Sequence, residues 1–487
     1  MAACFPDGCA LTYPDAIGTP DVRRTRARRD TKEVEMTVIV DVIQTTDPVR
    51  PVGTTGSTRP LPPARDPFLR PPADLAAHAP GAVLRSRPVR IGLLGVIPQQ
   101  VSAWQLLYRS TDLNGRPEAA VTTVLLPADA DPAADRPLLA FQSAIDAVAD
   151  RCAPSYALRA GAAAFGSITQ WEWLVVANAL RRGWAVSIAD HEGPHGNFGA
   201  PREPGYRSLD GVRAALRFAP LGLHPHTPIA VWGYSGGGMA SSWLVEMAPS
   251  YAPELDIVGA VLGAPVGDPE QVFARLNGGR FAGFPAIVIA ALRTVYPALG
   301  RVIAENLTPA GQRLIDEAAR MAPILALPRL AFRNVDDYLD RPLAEILSEP
   351  EMRAMFADLR LGGTAPRCPV LVVQPVHDQI IAADGVDGQV ERYRRGGASV
   401  TYVRDRLSDH FSLLPLATPL SLDWLADRIA GLPVADTTTR TVWSVAASPA
   451  RWRGLLQMAG TATRIVLGRP LRQDSEPVGR PARGLAA

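Results

Sequence analysis

The chain contains the segment PIAVWGYSGGGMASSWLVEMA, which runs from Pro228 to Ala248. A short apolar run, IAVW, comes before the glycines, and large apolar side chains recur at helical spacing after them. The segment therefore predicts a buried strand, a tight turn and a helix. Ser235 lies at the junction between the strand and the helix.

The five residues Gly233-Tyr234-Ser235-Gly236-Gly237 are typical of a nucleophile elbow. A sharp turn of this kind lifts the serine hydroxyl clear of the sheet and brings neighbouring backbone so close that only glycine fits on either side. A serine hydroxyl reacts only when a base removes its proton and the resulting oxyanion is stabilised. The N–H of Gly236, at the start of the helix, is a candidate oxyanion donor.

Composition excludes several functional classes. The 487 residues are 47% hydrophobic and 20% charged, with a net charge of +2, as expected for one large globular domain with appendages. The sequence has no basic stripe with interleaved aromatics, no apolar run of membrane-spanning length and no dinucleotide-binding glycine fingerprint. The four cysteines show no zinc-like pairing and favour a reduced environment. We therefore expect no nucleic acid, no metal and no cofactor.

The order of the predicted elements indicates the fold. Two strand-like runs within Trp104–Pro127 flank Asn114-Gly115, which is a strong hairpin signal. Strands then alternate with helices, which indicates a largely parallel, doubly wound α/β sheet. This is the order of an α/β-hydrolase. Strands are predicted at 136–143, 184–193, 228–234, 256–265, 369–376 and 399–405, and helices at 169–183, 209–220 and 236–248.

The partners of Ser235 follow from chain order. In this fold the acid follows a later strand and the histidine comes last. His377 and His410 are the histidines after Ser235, and His410 follows the last predicted strand. Asp378 lies at the carboxyl end of the strand at 369–376, so we predict Asp378 as the acid and His410 as the base. Rival carboxylates are Asp384, Asp387, Asp405 and Asp409.

A second oxyanion donor is expected from the loop QSAID at residues 142–146. The sequence alone does not choose among its backbone N–H groups. The loop lacks an HGGG-type motif, which disfavours the short-acyl esterases that carry one.

Several stretches together resemble the secretory lipase family of fungi and actinobacteria, the family of Candida antarctica lipase A. They lie between Asp66 and Gly431 and read DPFLRPPADLAAHAPGAVLRSRPV, FQSAIDAVADRCAPSYALRAG, DHEGPHGNFGAPREPGYRSLDGVRAAL, WGYSGGGMASSW, VHDQII and SDHFS. The resemblance implies an α/β-hydrolase with a helical lid that hydrolyses triacylglycerols and other carboxylic esters without a cofactor. It implies a triad of Ser235, Asp378 and His410, and an oxyanion pair formed by the N–H groups of Asp146 and Gly236.

Cys152 occupies a position that is disulfide-bonded in fungal relatives, but no partner is evident and we predict no bridge. The family is usually exported. No export signal is recognisable here, which favours the cytoplasm, while the resemblance favours secretion or the cell envelope.

We expect five regions. They are a disordered leader at 1–65, a first core part at 66–265, a helical cap or lid at 266–365, a second core part at 366–432 and a partly helical tail at 433–487. Within the cap, the apolar stretch 281–300 either covers the site or forms the cap's own core. The tail stretch 448–471 has basic amphipathic character, which fits either packing on its own domain or contact with a lipid surface.

The sequence therefore predicts a serine carboxylic-ester hydrolase that acts on lipid esters, with no obligate protein partner. The alternatives are an acyltransferase or peptidase with the same triad, or a catalytically inactive hydrolase fold that binds without reacting.

Overall fold

The computed structural model describes residues 59–131, 133–434 and 437–474. Most of the leader predicted at 1–65 and the last part of the tail therefore lie outside the described residues. Short 3₁₀ helices occupy Pro63–Arg65, Pro67–Leu69, Leu75–Ala77, Asp150–Cys152, Ala219–Leu221 and Val335–Tyr338.

The strands are β1 (Val83–Pro88), β2 (Gly92–Leu93), β3 (Ile97–Pro98), β4 (Ser102–Thr111), β5 (Pro117–Leu126), β6 (Leu138–Gln142), β7 (Ala185–Ala189), β8 (Ile229–Tyr234), β9 (Ile257–Gly263), β10 (Val370–Pro375), β11 (Val400–Asp405) and β12 (Thr438–Val442). The helices are α1 (Pro154–Ala157), α2 (Thr169–Arg181), α3 (Glu203–Leu216), α4 (Gly236–Tyr251), α5 (Pro269–Leu276), α6 (Gly283–Val295), α7 (Pro297–Asn306), α8 (Pro309–Arg320), α9 (Pro323–Arg329), α10 (Leu343–Leu347), α11 (Pro350–Leu359), α12 (Ala383–Arg395), α13 (His410–Ile429) and α14 (Pro449–Val466).

A ten-stranded sheet has the order β1-β4-β5-β7-β6-β8-β9-β10-β11-β12. Strands β1, β4 and β5 are antiparallel to their neighbours, and every pair from β7–β6 to β11–β12 is parallel. The predicted α/β-hydrolase fold, a mostly parallel sheet entered through an antiparallel hairpin, is confirmed. All residues of β6, β7, β8 and β10 are buried, as expected for central strands covered by helices on both faces.

The hairpin between β4 and β5 forms where Asn114-Gly115 predicts it. Asp112 shapes the turn, because its Oδ1 accepts the backbone N–H groups of Asn114 and Arg116 at 2.9 and 2.8 Å. Gly115 takes a positive φ of 76°, which a residue without Cβ adopts at little cost. Helix α3 starts at Glu203, six residues before the prediction, because Pro204 is accommodated in its first turn.

Both edges of the sheet extend beyond the prediction. Strand β1 adds to β4 at one edge, and β12 adds to β11 at the other. The sequence of β12, TTRTV, has no buried residue and no apolar alternation, so its pattern did not indicate a strand. Its polarity suits an exposed edge.

Seven α-helices, α5 to α11, lie between the end of β9 and the start of β10, in a stretch that is described throughout. We call this region the helical insertion. Its buried side chains form apolar clusters of their own, which also include Phe198, Ala200, Met239 and Trp243 from the core. These four residues are therefore part of the surface on which the insertion packs.

Among the described residues no single helix is long and apolar enough to span a membrane. Helices α6 and α7 reach that composition only when taken together, and they are bent by 120° relative to each other.

Candidate active site

The turn between β8 and α4 is strained at Ser235, which has φ 56° and ψ −121°. A Cβ on Gly233 would lie 2.0 Å from the carbonyl oxygen of Gly237, and one on Gly237 would lie 2.1 Å from the carbonyl oxygen of Gln142. No side chain fits at either position. The tight packing fixes the serine at the carboxyl end of the central strand, with its hydroxyl facing away from the sheet.

The structure brings the three predicted triad residues together. His410 Nε2 lies 3.0 Å from Ser235 Oγ, and His410 Nδ1 lies 2.8 Å from Asp378 Oδ2. Asp378 and His410 are 2% and 4% exposed, whereas Ser235 is partly accessible. The chain of hydrogen bonds thus runs from a buried carboxylate to a reachable hydroxyl.

Asp378 is held as an acceptor on both oxygens. Its Oδ1 accepts the backbone N–H groups of Ile380 and Ile381, each at 2.8 Å, while Gln374 Nε2 approaches Oδ2 at 3.3 Å. A carboxylate with these donors can accept the Nδ1 proton of His410 and so fix the ring tautomer.

His410 is the first residue of α13 and is fixed through its backbone as well. Its N–H donates to Gln379 Oε1 at 3.1 Å, and its carbonyl accepts the Tyr234 hydroxyl at 2.5 Å. Tyr234, which precedes Ser235 in the elbow, thus helps to hold His410 in place beside Ser235.

The rival carboxylates have other partners. Asp409 caps α13 through the N–H groups of Phe411 and Ser412, and Asp387 pairs with Arg404. Asp405 accepts N–H groups of the loop that leads to His410. Asp384 lies in the first turn of α12.

The two expected oxyanion donors are adjacent but are not equally available. Gly236 is the first residue of α4, so its N–H has no acceptor within the helix. The N–H of Asp146 instead donates to Glu192 Oε1 at 2.9 Å. Asp146 also has a positive φ of 51°, and its Oδ1 would lie 1.8 Å from a Cβ placed on Gly236. The structure therefore places Asp146 against the elbow with its N–H already engaged.

Several buried acids lie in or beside this site, and sequence reasoning did not single them out. Glu172 accepts the N–H of Ala144, and Glu192 accepts the N–H of Asp146. Burial raises the pKa of Asp146 to about 8, with a contribution from the Glu172 carboxylate. Burial raises the pKa values of Glu172 and Asp190 to about 7 each, and it raises the pKa of Glu192 well above its usual range, with a contribution from Asp146. The sequence could have indicated two of them by their position, because Asp190 and Glu192 lie within three residues of the end of β7, at the carboxyl edge of the sheet.

A largely apolar cavity of about 1220 Å³, including its part open to solvent, meets Ser235. Ser235, Gly236 and Asp146 are among its lining residues, and most of the remaining wall comes from the helical insertion. The insertion side includes Phe273, Phe284, Val288, Leu292, Leu299, Val302, Ile303, Ile346, Met352, Met355 and Phe356. The stretch 281–300 contributes both to this wall and to the insertion's own core, where Ile287 and Ala291 are buried.

Within the described residues no group of histidine, cysteine and acidic side chains has the arrangement of a metal site. Cys152 and Cys368 are both buried free thiols in the described part of the chain. No bridge at Cys152 was expected.

The fold and this arrangement of side chains define the class of protein as an α/β-hydrolase. The chain belongs to the secretory lipase family, whose model matches residues 158–437.

Relatives and solved structures agree with that assignment. A Mycobacterium tuberculosis (strain CDC 1551 / Oshkosh) protein named "Probable inactive lipase MT1628" is 51% identical over 85% of this chain and 93% of its own length. "Lipase A" of Arthroderma benhamiae is 35% identical over 77% of this chain and 81% of its own. The closed-state structure of Candida antarctica lipase A covers 86% of this chain and 100% of its own, with 25% identity and a TM-score of 0.74. The predicted resemblance is thereby confirmed.

Proposed function

We propose that the protein is a serine carboxylic-ester hydrolase that acts on lipid esters. The observation that carries the proposal is the hydrogen-bonded series Asp378–His410–Ser235, which ends at an apolar cavity. Family membership and the names of relatives, among them "Secreted triacylglycerol lipase LIP4" of Malassezia globosa, support a lipid ester as the substrate.

In the first half of the reaction, Ser235 Oγ attacks the ester carbonyl carbon while His410 Nε2 accepts the hydroxyl proton. Asp378 holds the ring through Nδ1 and stabilises the imidazolium that forms. The tetrahedral intermediate collapses, the C–O bond to the alcohol breaks, and His410 returns the proton to the leaving alcohol. Ser235 then carries the acyl group.

In the second half, His410 accepts a proton from water, which attacks the acyl-enzyme. The acid is released and Ser235 regains its proton. Each half passes through an oxyanion that needs fixed N–H donors.

The N–H of Gly236 has no acceptor among the described residues and can bind that oxyanion. The N–H of Asp146 can join it only after its hydrogen bond to Glu192 Oε1 lengthens or breaks. Productive substrate binding is therefore accompanied by a small movement of the loop at 142–146.

The cavity accommodates the acyl chain. The helical insertion, proposed as the cap at 266–365, supplies most of its apolar wall, and a long acyl chain would bury its methylene groups there. We assign acyl-chain preference to this region for that reason.

A second candidate function, binding without catalysis, has two specific observations in its favour. One relative is named a probable inactive lipase, and Glu192 occupies the N–H of Asp146. In that case the same cavity would bind a lipid ester or fatty acid, and Ser235 would not react.

Hydrolysis of p-nitrophenyl esters from butyrate to palmitate, measured on the wild type and on Ser235→Ala, separates the two candidates. The esterase proposal expects activity that Ser235→Ala lowers by more than about a thousandfold. Equal inactivity of two folded proteins on every ester, with retained binding of a long-chain fatty acid, would favour the binding function.

A further inference from the structure

The outward face of α14 is apolar and unusually exposed. Trp452 and Leu456 are 60% and 71% exposed, and Val466 and Leu467 are 55% and 57% exposed. At 100° per residue these four side chains fall within an arc of about 100° around the helix axis. We call this set the outer stripe. Ala459 and Thr463 lie between Leu456 and Val466 in the same arc, so the large apolar side chains form one exposed pair near each end of the helix. Exposed single apolar residues are ordinary, but two such pairs on one helix face indicate a partner.

The opposite face of α14 already packs on the core, so the helix itself is fixed. Ile465 and Thr461 are buried, and the Thr461 hydroxyl accepts Arg181 Nη1 from α2 at 2.9 Å. Arg451 forms an ion pair with Asp423 of α13. The packing expected for the tail therefore accounts for one face and leaves the outer stripe unexplained.

Charge on this part of the chain has one sign. Helix α14 itself contains three arginines and neither aspartate nor glutamate, and one of the three, Arg451, is paired with Asp423. Arg453 and Arg464 are exposed, lie about 100° and 120° from Trp452 around the helix axis, and form no ion pair within the described residues. An apolar stripe thus has a basic border.

We propose that the outer stripe of α14 binds the surface of a membrane that contains anionic lipids. A tryptophan and aliphatic side chains placed beside arginines match the boundary between acyl chains and headgroups. The arginine stems can lie along the apolar layer while their guanidinium groups reach lipid phosphates. The helix would lie flat on the surface along about 27 Å, its length at 1.5 Å per residue.

This inference does not depend on ester hydrolysis, and its test measures binding alone. The full-length protein is sedimented with vesicles of phosphatidylcholine containing phosphatidylglycerol, and with vesicles of pure phosphatidylcholine. We expect tighter binding to the anionic vesicles and weaker binding as salt is raised.

Two double variants locate the contact. Trp452→Ser/Leu456→Ser and Arg453→Gln/Arg464→Gln should each weaken binding to anionic vesicles by about tenfold or more. A matched control, Arg313→Gln/Arg353→Gln, removes the same charge from exposed positions of α8 and α11 and should bind like the wild type.

All four proteins should unfold at similar temperatures, because every changed side chain is exposed. Absence of wild-type binding to the anionic vesicles would overturn the proposal, as would unchanged binding by the first two variants. A wild-type dimer that Trp452→Ser/Leu456→Ser converts to a monomer would instead assign the stripe to a second copy of the chain.

Discussion

Asp146 is an acid in an unusual position. It is 2% exposed, and within the described residues its Oδ1 has no hydrogen-bond partner. Burial, helped by the Glu172 carboxylate, raises its pKa to about 8, so the carboxyl is largely uncharged at neutral pH. A neutral carboxyl can lie beside the backbone of Gly236 at much smaller cost than a charged one.

The raised pKa of Asp146 makes stability depend on pH. The native protein keeps a proton that the unfolded chain releases near pH 3.8, so the free energy of unfolding falls as pH rises towards about 8. Replacing Asp146 by Asn should remove this loss. We expect the decrease in unfolding free energy between pH 6.5 and pH 8 to be smaller in Asp146→Asn by about 1 to 2 kcal/mol. Denaturant titrations at the two pH values measure it.

The pH range of these titrations starts at 6.5 because of His191. Burial lowers the pKa of His191 to about 4, so below pH 6.5 it contributes a stability change of the opposite sign. Glu172 and Asp190, with pKa values of about 7, and Glu192, with a pKa raised well above its usual range, remain in both proteins and leave a residual slope. Identical slopes in wild type and variant would show that Asp146 is ionised in the native state.

Among single residues, the sequence predicted those whose role follows from their order along the chain of an α/β-hydrolase. Ser235, Asp378 and His410 each follow a strand in the expected sequence, and they meet in the structure. Glu192 could not be predicted to bind the N–H of Asp146, because that contact joins loops 46 residues apart and depends on how both are packed. Local patterns carry no information about such a pair.

Among the elements, an ion pair attaches the helical insertion to the core, and the same carboxylate joins two parts of the insertion. Arg202, in the loop before α3, forms a two-point ion pair with Asp358 of α11, at 2.5 and 3.1 Å. Tyr296, at the start of α7, donates its hydroxyl to Asp358 Oδ2 at 2.6 Å. Removal of one carboxylate therefore releases both contacts.

Asp358→Ala should loosen the end of the insertion without unfolding the core. We expect faster backbone hydrogen exchange in α7 and α11, by about three- to tenfold, and unchanged exchange in α13. Hydrogen exchange read by mass spectrometry provides the measurement. Glu391→Ala, which breaks the exposed Arg395–Glu391 pair within α12, is the matched control and should change exchange in neither region. Equal exchange in Asp358→Ala and the wild type would show that the contacts of Asp358 do not stabilise α7 and α11.

The elements themselves were predicted best where one pattern dominates. The hairpin at Asn114-Gly115 and the helix at 169–183 carry strong local signals, and both are present. Strand β12 was missed because edge strands need not be apolar, and its pairing with β11 is decided by the rest of the fold. Amphipathic character alone did not decide between packing and lipid contact for α14, since both use an apolar face.

In the whole molecule, the walls of the cavity come from both the core and the helical insertion. Ser235 and its neighbours lie in the core, while most of the apolar wall lies in the insertion. The sequence could place the apolar stretch 281–300 in the insertion, but only the packed structure shows which of its side chains face the cavity.

Narrowing the cavity should change the preferred chain length. Val302 lines the cavity from α7, and Val302→Phe adds volume there. We expect kcat/KM to fall by about tenfold for palmitate esters and by less than about twofold for butyrate esters.

Val295→Phe is the matched control, because Val295 is also a partly buried valine of the insertion but is not part of the cavity wall. Its chain-length profile should be that of the wild type. A uniform loss on all esters in Val302→Phe would place the acyl chain elsewhere.

The proposed function requires Ser235 to be a nucleophile that His410 and Asp378 activate. The most direct measurement is reaction of the folded protein with a long-chain alkyl fluorophosphonate, followed by digestion and mass spectrometry of the peptides. We predict one adduct, on Ser235, formed rapidly by the wild type and at least about a hundredfold more slowly by His410→Ala. No adduct on the folded wild type, or an adduct on another residue in place of Ser235, would contradict the proposed role of Ser235.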